Sequence, residues 1–170
     1  MIESCTADDI QEQHAALIAL LQDAVNGGAS VSFIAPLDYD TAADYWAKVA
    51  AEIALGQRVL LLAFDGEQLV GSVQLALAGQ PNARHRAEVQ KLLVYSASRR
   101  QGIGKALMEA LEQAAQSLGR TLLVLDTQRS SPAEKLYTAL NYTRVGVIPE
   151  FALSSTGTLE DTVIFYKMLD

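Results

Sequence analysis

Apolar residues recur with changing periods along this chain of 170 residues, and each period predicts a different element. Alternating or continuous apolar runs predict strands over 2–5, 58–64, 68–77, 86–94, 121–126, 143–147 and 162–168. Helical spacing predicts helices from Thr6 to Asn26, from about Asp40 to Leu55, from Gly102 to Leu118 and from Pro132 to about Leu140. A long loop is expected between the last two strands.

The predicted elements follow the order β-α-α-β-β-β-α-β-α-β-β. Antiparallel hairpins followed by a strand–helix–strand crossover give a mixed α/β fold, with a central sheet of about seven strands and helices on both faces. Neither a repeat nor a linker-like change of composition interrupts the pattern, so we expect a single domain over residues 1–170.

Composition narrows the class of protein. Half of the residues are hydrophobic, which is typical of a globular protein. Neither a membrane-spanning run nor a secretory signal is recognised, so we expect a cytoplasmic protein. The net charge of −7 disfavours nucleic acid and anionic membranes as partners and would favour a cationic substrate such as an amine. Ordinary solubility explains the charge equally well.

Cysteine and histidine are scarce. Cys5 is the single cysteine, so an internal disulfide is excluded. The contexts of His14 and His85 do not resemble metal-ligand spacing, and we expect no metal.

The segment 99–105, with the sequence RRQGIGK, lies between a predicted strand and a predicted helix. Its two glycines let the backbone N–H groups come close to a ligand. The helix that follows them points the positive end of its dipole at the same place. Three cationic side chains surround the same point, which predicts a pyrophosphate site. The spacing R-x-x-G-x-G matches neither the P-loop nor the dinucleotide fingerprint.

This motif, between that strand and that helix, resembles the acetyl-coenzyme A (acetyl-CoA) motif of the GNAT superfamily of N-acetyltransferases. The predicted element order also resembles the GNAT fold over almost the whole chain. The resemblance implies that strands 87–94 and 121–126 splay apart, so that the pantetheine arm pairs with the open strand edge. The implied coenzyme-binding residues are Leu92, Leu93, Val94, Arg99, Arg100, Gln101, Gly102, Ile103, Gly104, Lys105, Ser130 and Tyr137. Ser130 stands where many members have an asparagine.

Transfer to an amine requires a base, because an alkyl amine is protonated at neutral pH. Glu88 and Asp126 are the candidates, on two neighbouring predicted strands. Alternation predicts that residues 88, 90, 92 and 94 share one face, and Asp126 is predicted to end its strand. Glu88 could instead be a surface charge paired with Arg86 or Lys91, and Asp126 a strand-end cap. The sequence does not decide which carboxylate is the base.

The segment 133–142, AEKLYTALNY, resembles a second GNAT motif. The resemblance implies that the Tyr137 hydroxyl approaches the sulfur of the coenzyme. A phenol with a pKa of about 10 can protonate a departing thiolate, so Tyr137 is the candidate acid. The alternative is a tyrosine that only packs on an amphipathic helix.

Four segments, 25–33, 86–92, 125–127 and 142–146, resemble tabtoxin-resistance acetyltransferases, which acetylate the amine of tabtoxinine-β-lactam. This implies a small amino-acid-like or antibiotic-like amine as substrate. The candidate substrate-binding residues are Gly28, Ala29, Ser30, Phe33, Glu88 and Asp126. A peptide or protein amine, and a non-catalytic CoA-binding module, are the alternatives. The sequence allows a monomer or a homodimer.

Overall fold

A computed structural model describes residues 1–169 of the chain. The strands are β1 (Ile2–Cys5), β2 (Arg58–Asp65), β3 (Gln68–Leu77), β4 (Arg86–Val94), β5 (Leu122–Gln128), β6 (Thr143–Leu153) and β7 (Leu159–Met168). The helices are α1 (Ala7–Glu12), α2 (His14–Asn26), α3 (Tyr39–Ala54), α4 (Ile103–Ser117) and α5 (Pro132–Ala139), with one turn of 3₁₀ helix at Ser96–Ser98.

The strands form one seven-stranded sheet in the order β1-β2-β3-β4-β5-β7-β6. The central pair, β4 and β5, is parallel, and the remaining neighbours are antiparallel. The crossover between the parallel strands is α4, as a parallel pair requires. The predicted mixed sheet with helices on both faces is confirmed.

Each face of the sheet has its own apolar core. One core packs α4 and α5 against the sheet, with Leu107, Leu111 and Phe165 fully buried. The other packs α1, α2 and α3 and is centred on Trp46, which is fully buried and donates its indole N–H to the Leu17 carbonyl oxygen at 2.9 Å. Replacing such a residue with alanine typically costs about 3–5 kcal/mol.

Side-chain caps set where several helices begin. Thr6 forms a capping box with Asp9, the Thr6 N–H donating to the Asp9 carboxylate at 2.7 Å. Asp38 accepts from the Thr41 N–H at 2.8 Å and so begins α3. Ser131 caps α5, whose first residue is proline.

The structure corrects three predicted boundaries. The first helix is two helices, because Gln13 leaves the helical conformation (ψ 9°), and the bend lets Ile10 and Leu17 bury in the same core. β5 runs two residues past Asp126, since Thr127 and Gln128 still pair with β7. The long loop predicted between the last strands is mostly β-structure, with a turn over 154–158.

The last hairpin closes at Ser154. Its N–H donates to the Thr158 carbonyl oxygen at 2.7 Å, and its hydroxyl oxygen accepts from the Thr158 N–H at 3.1 Å. Within residues 1–169, no helix is long and apolar enough to cross a membrane.

Candidate active site

The central parallel pair of strands opens into a cleft. β4 and β5 pair at three positions only, from Arg86 opposite Leu122 to Glu88 opposite Val124. Within the described residues, positions 89–94 of β4 therefore have no strand partner on the β5 side. A cleft of about 1120 Å³ occupies this gap. Both strands, the first turns of α4 and α5, and the segment 27–32 line it.

A β-bulge interrupts β4 beside the cleft. Ser72 of β3 pairs with Leu93 and Gln74 pairs with Gln90, so two residues of β4 lie opposite the single residue between them. Lys91, in the bulge, has a left-handed φ of 49°. A non-glycine residue in this conformation costs on the order of 1–3 kcal/mol, which the surrounding structure must offset.

The bulge corrects the face prediction for β4. Val89 packs in the core under α4, whereas Leu93 packs in the core under α1 to α3. Residues an even number apart would share a face in a regular strand. Leu92 packs with the α4 core, so residues 88, 90, 92 and 94 do not share one face as predicted. Alternation fails because one extra residue shifts every later side chain.

The N-terminus of α4 faces the cleft with its backbone. Gly102 has a φ of 83° and offers no side-chain cap, so it begins the helix without covering the first N–H groups. Arg99, Arg100 and Lys105 all line the cleft near this end. Among residues 1–169, the ion pair of Lys105 is an exposed i,i+4 pair with Glu109 at 3.7 Å, a weak interaction. The positive dipole end and three cations make an anion site.

The loop before α4 is tied to α2. The Ser96 N–H and hydroxyl donate to the two carboxylate oxygens of Asp23 at 2.8 and 2.7 Å. Arg99 Nε donates to the Val94 carbonyl oxygen at 3.2 Å. These bonds place the arginine-rich segment at the end of β4. Sequence reasoning missed Asp23, which lies 73 positions from its partner.

The structure brings most predicted coenzyme-binding residues to the cleft. Ten of them line it: Leu92, Leu93, Val94, Arg99, Arg100, Gly102, Ile103, Gly104, Lys105 and Tyr137. Gln101 instead lines a second, smaller cleft beside β1. Ser130 is not among the lining residues, although its neighbour Ser131 is. The Ser130 N–H donates to Glu134 at 2.7 Å. The roles predicted for these residues stay predictions.

Both candidate carboxylates line the cleft, and each has one oxygen held. Glu88 accepts from the Gln90 side-chain amide at 3.0 Å, and Asp126 accepts from the Thr162 hydroxyl at 2.9 Å. Within residues 1–169 the second oxygen of each carboxylate has no hydrogen-bond partner, and neither carboxylate forms an ion pair. The pairing of Glu88 with Arg86 or Lys91, the alternative to a role as base, is therefore not seen.

A polar network under β4 orients Glu88. Arg58 donates to the side-chain oxygens of Gln90 at 2.8 Å and Gln74 at 2.7 Å, and it pairs with Glu52 at 2.5 Å. Because the oxygen of Gln90 is held by Arg58, its amide nitrogen points to Glu88. Tyr45 donates to the same Gln74 oxygen at 2.9 Å.

Tyr137 lies on α5 with its ring in the core and one surface on the cleft. The ring is 6% exposed and contacts Tyr142 and Phe165, with centroids 5.8 and 6.1 Å away. Burial, and secondarily the charge of Asp126, raise the pKa of the Tyr137 hydroxyl above its ordinary value. Within the described residues this hydroxyl has no hydrogen-bond partner, and its raised pKa keeps it protonated at neutral pH.

The segment after α2 forms another wall of the cleft. Of the residues of this segment that the sequence predicts to bind substrate, Gly28, Ala29 and Ser30 line the cleft. Phe33 does not line it. Phe33 packs edge-on against Tyr45, with ring centroids 5.4 Å apart. Sequence reasoning missed the nearby Ser32, which has a left-handed φ of 73°.

Lys91 is the second cleft residue that sequence reasoning missed. Its ammonium donates to the Ser32 hydroxyl oxygen at 3.0 Å and lies 6.0 Å from the Phe33 ring centre and 5.9 Å from that of Tyr45. Burial lowers the pKa of Lys91, as does Arg58 to a smaller extent. No group of three or more metal-ligating side chains occurs within residues 1–169.

Residues 29–142 match the model of the acetyltransferase (GNAT) family, which is more than half of the chain. The chain belongs to the GNAT acetyltransferase family. The matched residues run from the wall after α2 through β4, α4, β5 and α5, and so include almost all of the cleft. As a GNAT acetyltransferase, the protein is an enzyme that uses acetyl-CoA.

Solved structures support the same fold. An N-acetyltransferase from Staphylococcus aureus Mu50 has a TM-score of 0.82 at 18% identity, covering 100% of this chain and 98% of that one. A ribosomal-protein-alanine N-acetyltransferase from Brucella melitensis has a TM-score of 0.79 at 21% identity, covering 99% of each chain. A GNAT superfamily phosphinothricin acetyltransferase from Sinorhizobium meliloti, in complex with AcCoA, has a TM-score of 0.81 at 18% identity, covering 99% of this chain and 88% of that one.

The cleft of this GNAT acetyltransferase fits acetyl-CoA. The uncapped, cationic end of α4 suits the coenzyme's pyrophosphate, and the open edge of β4 suits the two amides of its pantetheine arm. The left-handed Gly102 matters here, because a residue with a Cβ would be strained at that φ even though no neighbouring atom blocks the Cβ.

Proposed function

We propose that the protein transfers the acetyl group of acetyl-CoA directly to the amine of a small amino-acid-like or antibiotic-like acceptor, of which tabtoxinine-β-lactam is the model. One observation carries the proposal. A single cleft is lined by the cationic end of α4, by an open strand edge, and by two carboxylates that each keep one oxygen free of hydrogen bonds.

The coenzyme is bound along β4. Main-chain groups of Leu92 to Val94 hydrogen-bond the pantetheine amides as an added strand would. Arg99, Arg100 and the first-turn N–H groups of α4 bind the pyrophosphate. The distance along β4 from Val94 back to Glu88 is roughly 20 Å, at about 3.3 Å per residue. A pantetheine arm that follows this strand would carry the acetyl end from the phosphates at α4 toward Glu88.

A carboxylate supplies the base. The amine arrives protonated, and Glu88 or Asp126 binds it as an ammonium and then takes the proton, directly or through water. The free amine attacks the thioester carbonyl, the carbon–nitrogen bond forms and the carbon–sulfur bond breaks. The network of Arg58 and Gln90 holds Glu88 in place. The Thr162 hydroxyl does the same for Asp126.

Tyr137 supplies the acid. Its buried hydroxyl stays protonated at working pH because burial raises its pKa. It lies on the α5 side of the cleft and donates a hydrogen bond, and finally a proton, to the departing coenzyme A sulfur. Coenzyme A leaves as the free thiol, and the second proton lost by the attacking nitrogen passes through water to restore the Tyr137 hydroxyl.

The acceptor is held by the segment Gly28–Ser30 together with Glu88 and Asp126. The hydrogen bond between Lys91 and Ser32 ties this wall to β4, which favours a compact acceptor over a polypeptide. Similar folds occur in enzymes named for phosphinothricin and for a ribosomal protein, so the fold does not distinguish the two acceptor classes. Acetylation of the amine of an antibiotic-like acceptor would be a means of resistance in the cytoplasm.

An amine panel tests the proposal. Purified protein is given acetyl-CoA and, in turn, single amino acids, their amides, tabtoxinine-β-lactam, and short peptides with free N-termini. Thiol release measures the rate, and mass spectrometry identifies the acetylated product. We expect turnover with at least one small amino-acid-like amine and little with peptides. Efficient acetylation of peptides alone would instead support a peptide acetyltransferase. Tight coenzyme binding without turnover of any amine would support a binding module.

A further inference from the structure

Lys91 occupies a position in the cleft that the coenzyme and the base do not explain. The β4 bulge gives it a left-handed φ of 49°, and its side chain lines the cleft. Its ammonium bonds Ser32, itself in a left-handed conformation, on the wall opposite the sheet. Two strained residues therefore hold one cation at this point.

The surroundings of Lys91 provide two aromatic rings and a hydroxyl but, among the described residues, no anionic partner. Two aromatic rings, Phe33 and Tyr45, lie within about 6 Å of the ammonium, at 6.0 and 5.9 Å, and favour a cation. None of the ion pairs among residues 1–169 includes Lys91. An ammonium has three donors, and the described residues accept one hydrogen bond from it. A half-buried cation of this kind is stabilised by an anion that enters the cleft.

We propose that Lys91 binds the carboxylate of the acceptor and so selects amino acids over simple amines. This inference rests on the proposed function. Lys91 lies within electrostatic reach of Glu88 and Asp126, so cationic and anionic side chains border the same part of the cleft. An α-amino acid carries its ammonium and its carboxylate on the same carbon, and the charges of Lys91 and the two carboxylates complement that arrangement. The anion site at the N-terminus of α4 is formed by Arg99, Arg100 and Lys105, so Lys91 is not needed to bind the coenzyme phosphates and can bind the acceptor.

Lys91→Met tests the inference, because methionine keeps a Cβ and an unbranched stem and therefore preserves the backbone strain while removing the charge. Each variant is assayed with an amino-acid acceptor and with its amide, which lacks only the carboxylate charge. We expect Lys91→Met to raise KM for the amino acid about 10- to 100-fold, the range of a lost hydrogen bond to a charged group, with little change in kcat. KM for the amide, and KM for acetyl-CoA, should stay within about twofold.

Three further variants separate charge recognition from a structural role. Lys91→Arg, which keeps the cation, should recover much of the preference for the amino acid. Ser32→Ala removes the bond between the cleft walls and should keep the ratio of amino-acid to amide efficiency. Lys48→Met, on the exposed face of α3, should change neither rate nor ratio.

Two results would overturn the inference while the proposed function stands. One is a KM for the amino acid that stays unchanged in Lys91→Met. The other is an equal loss with both acceptors that Ser32→Ala reproduces, which would make Lys91 a structural link between the walls. If the unmodified enzyme acetylates no small amine at all, the proposed function fails first, and this outcome is visible before any variant is made.

Discussion

Replacing Tyr137 with phenylalanine tests the proposed acid without disturbing the fold. The ring is 6% exposed and packs against Tyr142 and Phe165, and these contacts remain in the variant. The hydroxyl makes no hydrogen bond within residues 1–169, so its removal should change the free energy of unfolding by less than about 1 kcal/mol. A large decrease in rate would then come from loss of the acid in the transfer step and not from unfolding.

The expected size of that loss follows from the environment of the hydroxyl. General acids typically contribute about 10²–10⁴-fold. Burial raises the pKa of Tyr137, which makes it a reluctant proton donor and limits its contribution mainly to hydrogen bonding of the developing thiolate. We therefore expect a decrease in kcat of about 10²-fold, equal to about 2.7 kcal/mol in the activation free energy.

The assay is thiol release at saturating acetyl-CoA over a range of pH, with calorimetry of acetyl-CoA binding alongside. Because the pKa of Tyr137 is raised, the hydroxyl is protonated throughout the neutral range, so the variant should lose rate uniformly and keep the shape of its pH profile. Affinity for acetyl-CoA should change little.

Tyr142→Phe is the matched control, since it removes the same atom from a neighbouring ring. The Tyr142 hydroxyl is buried beside Glu112, and Tyr142 does not line the cleft. The Tyr142→Phe variant should transfer acetyl at the same rate as the unmodified enzyme. An unchanged rate in Tyr137→Phe would refute the acid role. Equal losses in both variants would show that packing of the aromatic cluster, and not proton donation, carries the effect.

Three other perturbations follow from the structure. Gly102→Ala should weaken acetyl-CoA binding at least tenfold by calorimetry, since a left-handed φ of 83° costs an L residue about 1–2 kcal/mol and relaxing it moves the first turn of α4. Glu88→Gln should lower kcat/KM about 10²-fold near neutral pH, with partial recovery at high pH as unprotonated amine accumulates. The free energy of unfolding, from urea denaturation, should fall as pH rises above about 9 by up to about 1.4 kcal/mol per pH unit for each buried group that titrates. Burial raises the pKa of Cys5 and of Tyr45 to about 12 each, so the unfolded chain loses these protons first.

Each of these three predictions has a control variant or a result that would contradict it. Gly119, beyond the other end of α4, has a φ of 70°, so Gly119→Ala carries a similar strain and should leave coenzyme affinity unchanged. Equal loss of affinity in both glycine variants would contradict a role for the α4 N-terminus. A Glu88→Gln profile with the original shape and height would assign the base to Asp126. Stability that stays constant up to about pH 11 would contradict the burial of the thiol and the phenols.

Periodicity predicted the elements well where one face of a segment is buried and the other is not. It failed in β6 and β7, where the paired strands extend past the predicted ends. Every residue of β6 except Gly146 and Val147 is exposed, so no alternation of buried and exposed positions marks this strand, and Pro149 argues against a strand. Pairing with β7 forms this strand, and pairing is a tertiary property that local pattern does not contain.

The site was partly predictable for a similar reason. The glycine segment before α4 carries a local mechanism, so the anion site could be inferred from its residues alone. Lys91 could not be inferred, because alternation assumes a regular strand, and the bulge arises from the pairing of β4 with β3. The bond between Lys91 and Ser32 likewise joins segments 59 positions apart.

The most direct test of the central claim follows an isotope-labelled acetyl group from acetyl-CoA to the acceptor. The enzyme is incubated with the labelled donor and a small amino-acid acceptor, and NMR and mass spectrometry locate the label. The account predicts that the label appears as an amide on the acceptor nitrogen, in amounts equal to the thiol released. Thiol release with the label recovered only as acetate, or label confined to the protein, would contradict it.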